Sequence, residues 1–529
     1  MKNIIIGGAW PYANGSLHIG HIAALLPGDV LARYYRAKGE RVFYVSGSDC
    51  HGTPIVIRAA QENSTPTEIS EKYHREFCEV FHALGFSYDL YAKTSDAEHK
   101  DFVRAFHKKI YRSPYAEERK VKGAYCPHCN KTLTDRLVVG LCPRCGEKTR
   151  GDQCDACGEV LAADEVLEPR CADCGTAVVF RDSKQIFLKI SALEQPLRAY
   201  LEAHPYWRRN AAAFTKRYLD EGLRDRAITR DLDWGIDVPK AGYEGKKIYI
   251  WAENVLGYLS CVSRLCRARH IPFDEVYGRE ADTRSYYVHG KDNIPFHTII
   301  LPSLILAHGG DIRLPDDIIS SEHLTLEGKR ISTSKNWAVW ARDIAERYDP
   351  DAIRYFFITN GPEKRDADFS AREFRTQVNS ELVGAWGNLV NRTLAFAVKY
   401  FDRELPRADI PEALRCEIRS LYDSVGEKIE RGALKDAIDE IFENVRRANK
   451  YYDTEQPWKT RNDDPGKCRE TIGVCAYLIL NLAVLLQPFL PFSSEKLLRW
   501  LGTSDEWKEQ FLSEDFISEN YGVLFHTVE

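Results

Sequence analysis

The sequence predicts an α/β protein in three parts: a parallel-sheet domain, a cysteine-rich insertion that splits it, and an all-α C-terminal helical bundle. Three observations carry this. The run Ile4-Ile5-Ile6 into Gly7-Gly8, helical spacing from His21, and then Arg41-Val42-Phe43-Tyr44-Val45 make a strand–helix–strand unit. Such a unit favours parallel pairing, with ligands at the strand ends. Eight of the fifteen cysteines crowd into residues 126–174 as four C-x-x-C pairs. From Glu373 onward the apolar residues recur at helical spacing. Leu382, Trp386, Leu389 and Val390 share one face, and Ile438, Ile441 and Val445 share another.

Taken in order, the first helix places Ala23, Leu26, Val30 and Tyr34 on one side, and Pro27 predicts a kink or restart within it. The second strand ends at Ser46-Gly47-Ser48-Asp49, and a helical stretch follows over Glu71–Leu84. From about Tyr115 the cysteine module interrupts the pattern. Strand-like runs resume at Lys247–Trp251, Tyr286–His289 and Ile318–Ser320, which one sheet interrupted by an inserted domain explains most simply. The expected divisions are 1–114 and 241–325 for the two halves of the sheet domain and 115–240 for the insertion. A loop region over 326–372 and a helical domain over 373–529 complete the chain.

At 529 residues, with 44% hydrophobic and 29% charged residues, the composition excludes a disordered chain, a fibrous protein and a bundle of membrane spans. The longest apolar run, Ile472–Leu486, is interrupted by Asn481 and reads as a buried core helix, so no membrane association is expected. The apolar stretch at the N-terminus is too short for a signal peptide, which points to the cytoplasm. A net charge of −5, from 73 basic and 78 acidic residues, argues against nonspecific nucleic-acid binding but leaves room for local basic surfaces. Met1 is the sole methionine, a rarity without a structural account.

The paired cysteines are Cys126/Cys129, Cys142/Cys145, Cys154/Cys157 and Cys171/Cys174, and three pairs run straight into a glycine: Gly146, Gly158 and Gly175. Two thiolates in such a turn supply half of a tetrahedral zinc site, so four turns imply two zinc ions with four thiolates each. A disulfide framework would spread over the chain, and a redox pair needs no three companions. Four thiolates leave no open position for water, so the sites are structural. Spacing alone allows sequential or nested pairing.

Two further motifs carry chemistry. Trp10-Pro-Tyr-Ala-Asn-Gly-Ser-Leu-His-Ile-Gly-His21 sets His18 and His21 three apart across Gly20 where a strand gives way to a helix. A helix N-terminus favours anions, imidazoles there can bond phosphate oxygens, and Gly20 lets a flat ring such as adenine lie against the backbone. Much later, Glu327-Gly-Lys-Arg-Ile-Ser-Thr-Ser-Lys-Asn336 flanks Ser332, Thr333 and Ser334 with Lys329, Arg330 and Lys335. That composition suits a loop that closes over a triphosphate.

The first motif resembles the His-Ile-Gly-His element of class I aminoacyl-tRNA synthetases, and the second resembles their Lys-Met-Ser-Lys-Ser loop. Ala9–Gly15, Gly47-Ser-Asp-Cys-His-Gly-Thr-Pro54 and Gly290-Lys-Asp-Asn-Ile-Pro-Phe-His297 narrow the resemblance, which spans nearly the whole chain, to the methionyl-tRNA synthetase family. The resemblance implies a Rossmann-like catalytic domain, a loop region that contacts ATP and the tRNA stem, and a helical anticodon-binding domain. It implies a nested zinc arrangement, with Cys142, Cys145, Cys154 and Cys157 on one ion and Cys126, Cys129, Cys171 and Cys174 on the other. His18, Gly20, His21 and Thr333 would bind ATP. Trp10, Tyr12, Trp251, Tyr258, Asp292, Phe296 and His297 would serve the methionine pocket, with Asp49 opposite the α-ammonium. Aromatic walls suit a thioether, since sulfur–aromatic contacts contribute about 0.3–1.5 kcal/mol. Asn388, Arg392 and Trp458 match the family's anticodon residues.

This chain departs from the family pattern in places. Arg330 and Thr333 stand where the loop has its two lysines, which leaves Lys329 or Lys335 to supply the missing charge. Trp10 replaces a frequent leucine, and Glu253-Asn-Val-Leu256 replaces Asp-Ala-Pro-Ile. The expected reaction is the activation of L-methionine by ATP with Mg²⁺, followed by transfer to methionine tRNA, initiator and elongator. Catalysis would rest on His18, His21, Lys329, Arg330, Ser332, Thr333, Ser334 and Lys335. A synthetase for leucine, isoleucine or valine would need a large editing insertion, and a small nucleotidyltransferase would lack the knuckles and the helical half. A non-catalytic tRNA-binding paralogue is the remaining alternative. The chain stops soon after Trp500-Leu501-Gly502, which predicts a monomer.

Overall fold

The computed structural model describes residues 1–134, 137–151, 154, 156–157, 161, 163–331, 337–512 and 517–529. Five strands form the central sheet: β1 (Asn3–Gly8), β2 (Arg41–Ser48), β3 (Leu90–Lys93), β4 (Thr283–Gly290) and β5 (Asp317–Ser321). Their order is β5-β4-β1-β2-β3, and every neighbouring pair is parallel. The chain runs outward from β1 to β3 and later outward again through β4 and β5, so the direction reverses between β1 and β4. In sheets of this kind ligands bind beyond the carboxyl ends of the strands at that reversal.

Strand periodicity assigns each side chain to one of two cores. Ile4 and Ile6 of β1, Val42 and Tyr44 of β2, and Tyr286 and Val288 of β4 enter a core shared with Leu382, Trp386, Ile438 and Leu480 of the C-terminal helices. Ile5, Phe43, Val45 and Tyr287, between them in sequence, enter a second core with Ile186, Leu197, Tyr258 and Leu304. The sheet is therefore a wall between two apolar bodies, covered on both faces as a parallel sheet requires.

The first helix, Ile19–Ala37, runs through Pro27 as one helix, which corrects the expected restart. Leu25, Leu26, Pro27 and Gly28 are all buried, and the packing of this turn outweighs the local cost of proline, about 3 kcal/mol. Deep on this helix, Asp29 and Arg354 form an ion pair at 2.7 Å with both side chains fully buried. Arg354 also donates to the carbonyls of Leu84, Pro488 and Phe489, tying the sheet domain to the C-terminal helices.

The strand-like run Lys247–Trp251 is a second correction. Only Lys247–Ile248 is extended, paired antiparallel with Thr229–Arg230 outside the central sheet, and Ile250–Glu253 is a helical turn. Tyr286–His289 and Ile318–Ser320 do lie in β4 and β5. Ile472–Leu486 lies in the helix Pro465–Leu486, which is long and apolar enough to cross a membrane but mostly buried within the protein.

The inserted module leaves and returns on two long neighbouring strands, Ala116–Cys126 and Val179–Leu188. They pair antiparallel from Ala116↔Leu188 to Tyr125↔Val179. The eight paired cysteines lie at the far end of this ribbon, Cys126 closing the outgoing strand and the other seven beyond it.

Candidate active site and zinc knuckles

A cavity of about 500 Å³ opens at the carboxyl ends of β1 and β4. Trp10 and Tyr12 follow β1, Asp292 follows β4, and Trp251, Asn254, Asn293 and Phe296 line the cavity with them. His18, Gly20, His21, Glu322, His323 and Arg330 also belong to the lining.

His18 and His21 cap the helix Ile19–Ala37 reciprocally. His18 Nδ1 accepts from the Gly20 amide and His21 Nδ1 accepts from the His18 amide, each at 3.1 Å. Because Nδ1 is the acceptor in both rings, Nε2 carries the proton. Burial lowers the His18 pKa to about 4, and burial together with the neighbouring His18 lowers that of His21 to about 3. Both rings are neutral donors at pH 7, their centroids 4.0 Å apart. A Cβ on Gly20 would stand 2.9 Å from His18 Cε1, so glycine is required here for the capping geometry as well as for room in the cavity.

Lys329 and Arg330 form a short strand paired with Leu324–Leu326 through a turn at Glu327 and Gly328, both at positive φ. Arg330 lines the cavity, whereas the Lys329 ammonium lies 5.1 Å over the Trp337 ring. Ser332, Thr333, Ser334 and Lys335 lie outside the described residues. Downstream, the chain is fastened to the first motif: Ile19 N–H donates to Val339 O at 3.0 Å, and Ala341 N–H to Leu17 O at 2.8 Å.

The aromatic wall has two layers. At the cavity surface the rings of Trp251 and Phe296 meet at 4.8 Å. Behind them Tyr258 donates to His297 Nε2 at 2.8 Å, while His297 Nδ1 donates to Asn293 O, also at 2.8 Å. Trp10 fills a slot between two backbones. A Cβ on Gly47 would fall 2.4 Å from its ring and a Cβ on Gly257 2.5 Å, so the indole needs both glycines.

Asp49, Tyr258 and His297 are buried behind the lining rather than in it. Asp49 Oδ2 accepts from Asn254 Nδ2 at 2.9 Å, so a cavity residue covers the carboxylate. Burial pushes the Asp49 pKa well above the carboxylate range, and the charge of Glu253 adds to this. Glu253 is itself fully buried, 2.7 Å from His51 Nδ1 and 3.8 Å from His99 Nε2. Burial raises its pKa too, but the two imidazoles outweigh that and hold it below its usual value. Sequence reasoning missed this cluster, as well as Asn254, Glu322 and His323 in the lining. The partners lie up to 202 residues apart, so no local spacing could have revealed them.

The cysteines fall into two groups, Cys126/Cys129/Cys171/Cys174 and Cys142/Cys145/Cys154/Cys157, with the ligand sulfurs of each within 4.8 Å of one another. A tetrahedron with Zn–S bonds of about 2.3 Å separates its sulfurs by about 3.8 Å. The separations Cys126–Cys174 at 3.4 Å, Cys129–Cys171 at 3.9 Å, Cys142–Cys157 at 3.7 Å and Cys145–Cys154 at 3.6 Å fit that figure. The nested arrangement is therefore the one the fold forms, and both groups could hold zinc.

On the helical domain, the π-helical stretch Val378–Gly387 leads into the helix Asn388–Tyr400, which begins with exposed Asn388. Arg392 bonds Asp453 and the Asn449 carbonyl, each at 2.7 Å, and stacks on Tyr452 at 4.2 Å. Trp458, 44% exposed, contacts the same Tyr452 ring at 5.9 Å. Tyr452, on the helix Leu434–Glu455, thus joins Arg392 and Trp458, which lie on two other helices.

A family model described as tRNA synthetases class I (M) matches residues 4–394, and one described as the anticodon binding domain of methionyl tRNA ligase matches residues 408–525. Methionine–tRNA ligase 1 of Alkaliphilus oremlandii is 50% identical over 529 residues, 100% of this chain and 97% of that one. Methionine–tRNA ligase of Bacillus mycoides is 51% identical over 531 residues, with the same two coverages. A structure of Mycobacterium tuberculosis methionyl-tRNA synthetase in complex with methionyl-adenylate shares the fold, with a TM-score of 0.81 at 24% identity over 99% of this chain and 100% of that one. Motif, fold and whole-length similarity agree, and the chain belongs to the methionyl-tRNA synthetase family of class I aminoacyl-tRNA synthetases.

Proposed function

We propose that this chain is a methionine–tRNA ligase. The observation that carries the reading is one cavity lined both by a pair of neutral imidazole donors and by a layered aromatic surface. Methionine's carboxylate oxygen attacks the α-phosphorus of ATP, the bond to the bridging oxygen of pyrophosphate breaks, and methionyl-adenylate forms. The terminal ribose hydroxyl of the tRNA then attacks the methionyl carbonyl, and AMP leaves. The nucleophile of the first step is already ionised, so positioning and charge stabilisation are what the protein supplies.

His18 and His21 donate Nε2–H to the phosphate oxygens, and Arg330, Lys329 and Lys335 carry the positive charge opposite the triphosphate. Ser332, Thr333 and Ser334 supply hydroxyls beside it. Mg²⁺, arriving on ATP, would neutralise phosphate charge. Gly20 leaves space for the adenine. Trp10, Tyr12, Trp251 and Phe296 surround the side chain of methionine, backed by Tyr258 and His297, with Asp292 at the rim. Asp49 is the counter-charge for the α-ammonium, whose positive charge opposes the upward shift that burial and Glu253 impose on the carboxyl. Asn388, Arg392 and Trp458 bind anticodon bases by stacking and edge hydrogen bonds, in initiator and elongator methionine tRNA alike. Two zinc ions fold the knuckles. A cytoplasmic monomer is the expected state.

The test is ATP–pyrophosphate exchange across the standard amino acids without tRNA. Exchange with methionine alone supports the reading. Exchange with a different amino acid discards the pocket assignment, and none at all in zinc-loaded protein discards the enzyme.

A further inference from the structure

Beyond Trp458, the same surface carries a second exposed aromatic. Tyr400 closes the helix Asn388–Tyr400 with 39% of its surface exposed, its ring held by buried Phe396 at 4.7 Å. Two cations converge on it: Arg461 Cζ lies 4.1 Å from the ring centroid and Lys399 Nζ 5.0 Å. Among the described residues neither cation forms an ion pair; both hydrogen-bond the Tyr400 hydroxyl, and Arg461 Nε also donates to Asn462 Oδ1 at 3.3 Å. Arg392, by contrast, is neutralised by Asp453.

These groups continue the Trp458 patch. Trp458 and Arg461 are three apart in the helix Pro457–Asp463 and so share a face. Arg392 and Tyr400 are eight apart in their own helix, a rise of about 12 Å. An aromatic ring with a guanidinium laid on it, next to unpaired positive charge, matches the two demands of single-stranded RNA: a stacking platform for a base and a counter-charge for its phosphate.

We propose that Tyr400, Arg461 and Lys399 form a second nucleotide subsite. It takes an unpaired nucleotide of the RNA loop next to the bases held at Trp458, with the base on the Tyr400–Arg461 stack and the phosphate at Lys399. This rests on the reading of Asn388, Arg392 and Trp458 as the anticodon surface.

The experiment measures binding of the full-length protein to an RNA hairpin carrying the methionine anticodon loop, by fluorescence anisotropy over a range of salt. Tyr400→Ala and Arg461→Ala each weaken binding by roughly 5- to 100-fold, the range for loss of one stacked base, while Tyr400→Phe binds as the wild type does. Lys399→Ala lowers the slope of log affinity against log salt by about 0.7, the value for one phosphate of a single strand. In a hairpin made abasic at the loop nucleotide flanking the anticodon, wild type and Tyr400→Ala bind alike. If Trp458→Ala weakens binding but Tyr400→Ala and Arg461→Ala stay within twofold of wild type, this subsite is refuted and the anticodon reading stands. If Trp458→Ala is also without effect, both are refuted. A Tyr400→Ala defect that persists at every abasic loop position assigns Tyr400 to packing and overturns the proposal.

Discussion

Asp29→Asn replaces one partner of the buried ion pair while keeping its shape. In the native protein the Asp29 carboxylate accepts from Arg33 Nε at 2.8 Å, from the Ser87 amide and hydroxyl at 2.6 Å each, and from Arg354 at 2.7 Å. The asparagine leaves the Arg354 guanidinium fully buried among three carbonyls, without its ion-pair partner and with only the more remote Asp351 carboxylate opposing its charge. Removing one member of such a pair costs about 3–5 kcal/mol. At about 2.1 cal/mol/K per residue, 529 residues carry an unfolding entropy of roughly 1.1 kcal/mol/K, so a loss of about 4 kcal/mol lowers the melting temperature by roughly 4 °C. Burial acts to raise the Asp29 pKa, but Arg354 and Arg33 prevail and hold it at about 2, below the ordinary 3.8. A depressed carboxylate contributes stability above its unfolded pKa and loses it as pH falls through the folded one. That depression corresponds to roughly 2 kcal/mol, so the gap between wild type and variant narrows as pH drops from 4 toward 2. Calorimetry at pH 7 and at intervals down to pH 3 measures both effects. Equal melting temperatures at pH 7, or a gap that widens in acid, refute the reasoning. An Asp29→Leu/Arg354→Met double variant recovers part of the loss, because it removes the buried guanidinium, while Arg33 and Ser87 still lack the acceptor that Asp29 gave them.

His21→Ala lowers the rate of methionine-dependent pyrophosphate exchange by about 10²–10³, the usual cost of one electrostatic donor, as measured in steady-state assays. With His18 and His21 held at about 4 and about 3 by burial, the rate shows no ionisation from either ring between pH 5 and 8, and each protonates only as pH falls through those values. Metal analysis finds two zinc ions per chain, and Cys142→Ser and Cys126→Ser each reduce the count to one. Gly257→Ala drives a methyl group into the Trp10 indole, at a cost of about 1–3 kcal/mol. The same change raises KM for methionine while leaving KM for ATP near its wild-type value.

The parts of this molecule legible in the sequence are those whose physics is local. Ile4–Ile6 reads as a strand because three β-branched residues meet a glycine turn, and the knuckles read as metal sites because each half lies within four residues. Lys247–Trp251 alternates like a strand, yet its last residues turn into a helix that carries Trp251 and Asn254 to the cavity wall; tertiary demand overrode propensity. Pro27 looked like a break, but the core around it held the helix together. The Glu253–His51–His99 cluster was invisible for a different reason. Its members are ordinary polar residues, and only the fold reveals that all three are buried against one another. The layering of the pocket, with Asp49 sealed behind Asn254, was likewise beyond any motif.

The ribbon that bears the knuckles has a consequence for how such a chain can change. Its outgoing and returning strands sit side by side from Ala116↔Leu188 onward, so the host domain meets the module as a single hairpin whatever lies at the tip. Material can be added or removed there without altering the distance the host must bridge, and loop-closure entropy grows only by about 0.6 kcal/mol per doubling of length. The sheet and its cavity are thereby insulated from variation in the knuckles. A chain cut back to a tight turn joining Lys122 to Asp182, which face each other across the ribbon, keeps its parallel sheet, and natural gain or loss of a zinc site is a step open to the lineage without rebuilding the catalytic half.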